Sequence, residues 1–167
     1  MKLSDGLQKG LNEQIRLEYN SAYIYKGMAM YFADLGLEGF RKFFDDHVKE
    51  EIKHANDFIN YIVEVDGKVE LGALTEVETD FNSILDVFEK AYEHELLISK
   101  SIQDLNAQAI EEKNYAAENF LRTYIDEQVE EEDLFLGLKE MVEFAGDDKS
   151  AIFQMNGMLR NLHDHLD

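Results

Sequence analysis

The sequence predicts an all-α chain, a four-helix bundle with a short fifth helix at its C-terminal end. Three observations carry this. Apolar residues recur in steps of three and four over four segments of roughly 30 residues, the period of one helix face. No segment shows the sustained apolar/polar alternation of a half-buried strand. Proline is absent from all 167 residues, so no helix is stopped or kinked by that route.

Each element can be justified from its ends. Ser4 or Asp5 can cap a first helix running over about 5–34. "DLGLEGF" turns through Gly36 and Gly39 into a second helix, about 38–66. Thr79 or Asp80 can cap a third, about 80–112, and a very short turn at Lys113 and Asn114 leads into a fourth, about 115–145. "GDDKS" sets off the last helix, about 148–163, capped by Asp147 or Asp148. The length suits one domain, residues 1–167.

Two short turns make two antiparallel hairpins. The remaining connection, "GKVELGALTEVET", occupies residues 67–79. Extended at ~3.3 Å per residue it reaches about 40 Å, the rise of ~28 helical residues at 1.5 Å each. It is long enough to cross the whole bundle and leave helices two and three parallel, although length alone also permits a local loop.

Composition excludes several functions. Thirty-six acidic residues against 16 basic give a formal charge of −20, which repels a phosphate backbone and suits cations. Without cysteine there is no disulfide, zinc knuckle, iron–sulfur cluster or rubredoxin-type centre. No run approaches the ~18 apolar residues of a membrane span. The start "MKLSDGLQKGLNEQ" lacks a secretory pattern. The expectation is a cytoplasmic protein with neither membrane nor nucleic-acid partner.

The core stripes contain the informative residues. Helix one gives Leu11, Ile15, Glu18, Ala22, Tyr25, Ala29 and Phe32. Helix two gives Phe40, Phe44, His47, Glu51, His54, Phe58 and Tyr61. Helix three gives Ile84, Phe88, Ala91, Glu95, Ile98, Ile102 and Leu105, and helix four gives Leu121, Tyr124, Gln128, Glu131, Phe135, Leu138 and Val142. Each stripe breaks near its middle with polar residues, and in two antiparallel hairpins the breaks fall at one height. Four buried carboxylates without partners cost several kcal/mol each or must protonate. Divalent cations remove that penalty. An oxygen-rich set with one imidazole suits iron or manganese, tolerates zinc and is less natural for calcium.

At these residues the chain resembles the non-haem ferritins of bacteria and archaea. "RLEYN" with Glu18, "EEIKHA" with Glu51 and His54, "YEHE" with Glu95, and "DEQVEEE" with Gln128 and Glu131 carry the resemblance over essentially the full length. The ligand pattern is the one known for ferritin-like di-iron carboxylate bundles. The resemblance implies a ferroxidase centre for two irons. One would take Glu18, Glu51 and His54, the other Glu51, Glu95 and Glu131, with Glu51 bridging. Gln128 would hydrogen-bond beside the second iron, and Tyr25 would stand near the centre. Glu50, Glu127 and Glu130 match a third iron site sharing Glu131. Ile52 stands where bacterioferritins carry a haem-ligating methionine, so no haem is expected by that route. The resemblance further implies a homo-24-mer shell that stores ferric mineral, with Fe(II) and O2 or H2O2 as substrates and the short last helix near the four-fold axes.

Other readings attach to the same residues. A di-iron oxygenase or peroxidase could use this bundle without storage, and an acidic scaffold could buffer cations without catalysis. His47, one turn before Glu51, reads as a hydrogen-bonded core histidine rather than a ligand. His94 reads as surface or interface, His163 and His165 as solvated tail, and Met28 and Met30 as packing. Glu130, Glu132 and Asp133 read alternatively as solvated face.

Overall fold

Ser4 fixes the first boundary, its Oγ accepting the Leu7 N–H at 3.0 Å, the bond expected of an N-cap. From there a computed structural model describes residues 2–162 as five helices and, within those residues, no strand. They are α1 (Asp5–Leu35), α2 (Glu38–Glu64), α3 (Ile84–Glu111), α4 (Tyr115–Ala145) and α5 (Lys149–Arg160). No helix among the described residues is long and apolar enough to cross a membrane.

Contacts between helices fix the topology. Lys26 meets Asp45 and Tyr19 meets Asn56, so α1 and α2 are antiparallel. Ser21 meets His94 and Gln14 meets Ser101, so α1 and α3 are antiparallel as well. It follows that α2 and α3 are parallel and the connection crosses the full bundle.

That connection is strapped along α1 by side chains. Gln8 accepts the Lys68 N–H at 2.9 Å, Asn12 accepts that of Glu70 at 2.7 Å, and Asn20 accepts that of Thr75 at 2.9 Å. Further along, a Cβ on Gly27 would lie 2.2 Å from the Glu78 carbonyl oxygen, so only glycine lets the strap lie this close.

Three boundaries depart from expectation, the start of the third helix and the ends of the second and fifth. The third helix starts at Ile84 rather than near 80. Phe81 packs edge-on against Tyr31, centroids 5.4 Å apart, and holds the segment across the bundle until Ser83 caps the helix by accepting the Asp86 N–H at 3.0 Å. The second helix ends two residues early, at Glu64. Asp66 turns left-handed there (φ 57°), and the Gly67 N–H bonds the Ile62 carbonyl at 2.8 Å. Gly39 belongs to α2 rather than to the turn. Its missing Cβ admits α5, since a Cβ there would stand 1.7 Å from the Asn156 carbonyl oxygen. Asn156 Oδ1 accepts the N–H groups of Gly39 and Phe40 at 2.8 and 3.2 Å. It thereby caps α2, whose own Leu37 offers no side-chain bond. The fifth helix is capped by Asp148 and ends at Arg160. Its expected end at residue 163, with His163 and His165, lies outside the described residues.

The core divides into two apolar clusters. One is aromatic, with Phe32, Phe40, Phe43, Phe44, Phe88 and Phe135 fully buried. The other is mainly aliphatic, around Leu7, Leu11, Ile15, Ile102 and Leu121. The polar residues of the stripes lie between them.

Candidate metal centre

The polar interruptions of four helices meet in that middle layer. Glu18, Glu51 and Glu95 are 1%, 5% and 1% exposed, so these carboxylates are truly in the interior. His54 Nδ1 stands 3.4 Å from Glu51 Oε2 and 3.7 Å from Glu18 Oε2. One ligand atom from each of the three lies within 4.8 Å of the others, close enough to share a cation. Glu18 Oε2 is buried and has no hydrogen-bond partner. A buried lone pair left open in this way costs free energy unless a cation accepts it.

The other half of the layer centres on Glu95. Tyr25 Oη donates to Glu95 Oε1, and Gln128 Nε2 donates to Glu95 Oε2 at 3.0 Å. Glu131, from the next turn of α4, stands with its Oε2 3.2 Å from His47 Nε2. His47 Nδ1 lies 3.0 Å from the Phe43 carbonyl, which can only accept, so that nitrogen carries the proton and Nε2 faces Glu131.

Burial and mutual charge shift the proton affinities of this layer. Burial drives the Glu51 carboxyl well above its ordinary range, and the charges of Glu18 and Glu95 add to this against the opposing pull of His54. Burial pushes Glu18 the same way, but His54, Glu51 and Gln14 overcome it and hold Glu18 below its ordinary value. The same surroundings thus push the two carboxyls in opposite directions. Burial also raises Glu95 to about 7, the Tyr25 hydroxyl resisting and Glu131 reinforcing. Burial works against charge on His54, yet Glu127, Glu18 and Glu51 push it up to about 12. A metal ion binding here would displace protons from these groups.

Side chains outside the expected set position the centre. Gln14 Nε2 donates to Glu18 Oε1 at 2.7 Å while its Oε1 accepts from Ser101 Oγ at 2.5 Å. Its sequence signal was the four-residue step to Glu18 on one helix face. Ser99 Oγ lies 3.0 Å from Gln128 Nε2. His94, read as surface or interface, is half-buried within the chain, its Nε2 2.7 Å from Ser21 Oγ and its ring edge-on to Tyr25 at 5.9 Å.

Of the residues matched to a third site, Glu50 gathers with Glu131 around His47. Glu127 instead pairs with the far nitrogen of His54, Oε2 to Nε2 at 2.9 Å. A carboxylate on the outer nitrogen of an imidazole fixes which nitrogen faces a metal. Glu130 is exposed and joins no such group. Asp133 is exposed as expected of a solvated face, whereas Glu132 is half-buried.

Residues 8–143 match the ferritin-like domain family. The chain belongs to this family. It is 38% identical over 160 residues to a bacterial non-heme ferritin of Campylobacter jejuni, covering 96% of both proteins. A bacterial non-heme ferritin of Staphylococcus aureus is 35% identical over 90% of the chain and 91% of its own length. Among solved structures, an open-pore ferritin from the hyperthermophilic archaeon Archaeoglobus fulgidus superposes with a TM-score of 0.93 at 38% identity, over 95% of this chain and 98% of that one. The long crossover lies within the fold shared over 95% of the chain.

Proposed function

We propose that the chain oxidises Fe(II) at the buried centre and stores the product as ferric mineral inside a shell of twenty-four copies. The observation that carries this reading is the convergence of Glu18, Glu51, His54 and Glu95 from three helices, buried, with the Glu18 Oε2 lone pair open. Iron is the substrate here. One Fe(II) binds Glu18, Glu51 and His54, and the other binds Glu51, Glu95 and Glu131. Glu51 bridges them.

Each Fe(II) loses one electron. Two electrons and two protons convert O2 to hydrogen peroxide, and where peroxide is the oxidant two Fe(II) and two protons convert it to two waters. The carboxylates favour the higher charge of Fe(III), and the electron transfer belongs to the metal. Gln128 and Tyr25 hold Glu95 in place through its two oxygens. Glu127 orients His54. In this reading Glu50, Glu127 and Glu130, with Glu131, form a third position from which ferric product leaves, and the chain works in the cytoplasm without haem.

Aerobic titration with Fe(II) tests the reading. Rapid ferric absorbance, with hundreds of irons retained in a particle of about half a megadalton, is the expected result for such a closed assembly. Saturation at two or three irons per chain in a small oligomer would instead indicate an oxygenase or peroxidase. No oxidation at all would reduce the centre to a cation buffer.

A further inference from the structure

We propose that Gln14 and Ser101 are positioning residues for the first cation, aiming one oxygen of Glu18 at it and withholding the other. The inference rests on the ferroxidase reading only in taking the cation at Glu18, Glu51 and His54 as Fe(II). The two oxygens of Glu18 differ in their surroundings. Oε1 accepts from Gln14 Nε2 at 2.7 Å. Oε2 is buried with no hydrogen-bond partner and stands 3.7 Å from His54 Nδ1. Glu95 offers the contrast, since both of its oxygens are taken, one by Tyr25 and the other by Gln128.

A glutamine amide can turn end for end, so one bond alone does not fix it. Ser101 supplies the second bond from α3, its Oγ donating to Gln14 Oε1 at 2.5 Å. An ionised carboxylate only accepts, so Gln14 presents its NH2 group to Glu18 and leaves its carbonyl oxygen for the serine proton. Gln14 is fully buried, and its place four residues before Glu18 puts both side chains on one face of α1. Gln128 is held less firmly, its Nε2 divided among the Glu95 carbonyl, Glu95 Oε2 and Ser99 Oγ at 3.3, 3.0 and 3.0 Å. The relay from Ser101 through Gln14 fixes the rotation of the Glu18 carboxylate before any ion arrives, and each bond polarises the next. A ligand that offers one oxygen leaves a coordination position of the ion open for the oxidant or for exchange, which a second oxygen would close.

Zinc is the probe, being redox-inert. Crystals of the assembled full-length chain soaked in Zn(II) should show an anomalous peak about 2.0–2.2 Å from Glu18 Oε2, with Oε1 still bonded to Gln14. In competition titrations Gln14→Leu should weaken zinc at Glu18, Glu51 and His54 by about tenfold, the lower end of the loss on removing a hydrogen bond behind a ligand. Ser101→Ala should weaken it by about threefold, and Ser101→Thr, which keeps the hydroxyl, should restore it. Thermal melts of the metal-free variants separate positioning from packing. A lowered melting temperature with unchanged zinc affinity overturns the proposal, as does a parent ion bound by both oxygens of Glu18. Should Gln14→Leu fail to assemble, the half-buried Ser101 carries the comparison. An alanine variant that binds zinc as tightly as the parent, or a threonine variant no better than alanine, then overturns it. Zinc at Glu18, Glu51 and His54 of the parent with no change in the variants removes this inference and leaves the ferroxidase reading standing. No zinc there in the parent removes both.

Discussion

Two histidines stand edge-on to the Tyr25 ring, His47 from α2 at 5.8 Å and His94 from α3 at 5.9 Å, yet their surroundings shift their proton affinities in opposite directions. Burial opposes a charge on both. Beside His47 the carboxylates of Glu131 and Glu50 reverse this and raise it to about 9. His94 has only the Ser21 hydroxyl against its ring nitrogen, and burial lowers it to about 4 with slight opposition from Glu18. The difference extends to the flanks of the centre. The α2/α4 flank is lined by Glu50, Glu127 and Glu131, while the α1/α3 flank closes with the neutral bonds of Gln14, Ser21 and Ser101. One side gathers carboxylates and the other closes on neutral side chains.

The largest effect should come from the carboxylate that both flanks share. Glu51→Gln should lower the initial rate of Fe(II) oxidation by at least about a hundredfold, beyond the usual loss on removing a mere supporting group. Burial holds the Glu51 carboxyl well above its ordinary range, so the neutral isostere should leave the metal-free melting temperature unchanged or raised. Stopped-flow absorbance and thermal melts check both. A rate within threefold of the parent, or a collapsed fold, would make Glu51 structural.

The two histidines should next separate by pH in the metal-free protein. His47 has a folded value of about 9 against an ordinary 6.5, so its contribution is complete below pH 6.5 and is lost as pH rises through 9. Its size is about 3 kcal/mol. For His94 the folded value of about 4 reverses the sign, with stability present above pH 6.5 and lost as pH falls through 4. Urea unfolding of the parent, His47→Gln and His94→Gln across pH 4–9 should show differences confined to opposite windows. Coincident windows would end the contrast.

Much of this layer was legible in the sequence because burying an acid is expensive. Glu18, Glu51, His54 and Glu95 stood out as interruptions of apolar stripes, and the height argument placed them together. Residues that act across the layer gave weaker signals. Gln14 and Ser21 lie beside the counted stripe of α1, and His94 was read from its neighbour Glu95 rather than from the α1 face it meets. The strap was hidden for a related reason, since Gln8, Asn12 and Asn20 bond backbone more than fifty residues away. The start of α3 did have a local signal in Ser83-x-x-Asp86, a capping pattern overshadowed by Thr79 and Asp80.

Glu127→Gln tests the carboxylate flank. Losing the charge on His54 Nε2 should weaken zinc binding at Glu18, Glu51 and His54 by about tenfold in a competition titration. An unchanged affinity would mean that Glu127 is simply a solvated acid near the histidine.

The smallest effect should fall on the neutral flank. Ser21 Oγ donates to the Leu17 carbonyl at 2.8 Å, so its lone pair must accept from His94, whose Nε2 carries the proton. Ser21→Ala leaves that N–H half-buried and unpaired, at a cost of about 1 kcal/mol of stability. Because His94 is neutral near pH 7 and faces away from the excess of carboxylates, iron oxidation and zinc affinity should stay within about twofold of the parent, near the size of a minor structural adjustment. A tenfold loss in either would show that the α1/α3 flank feeds the centre, and the contrast between a carboxylate side and a neutral side would carry no functional meaning.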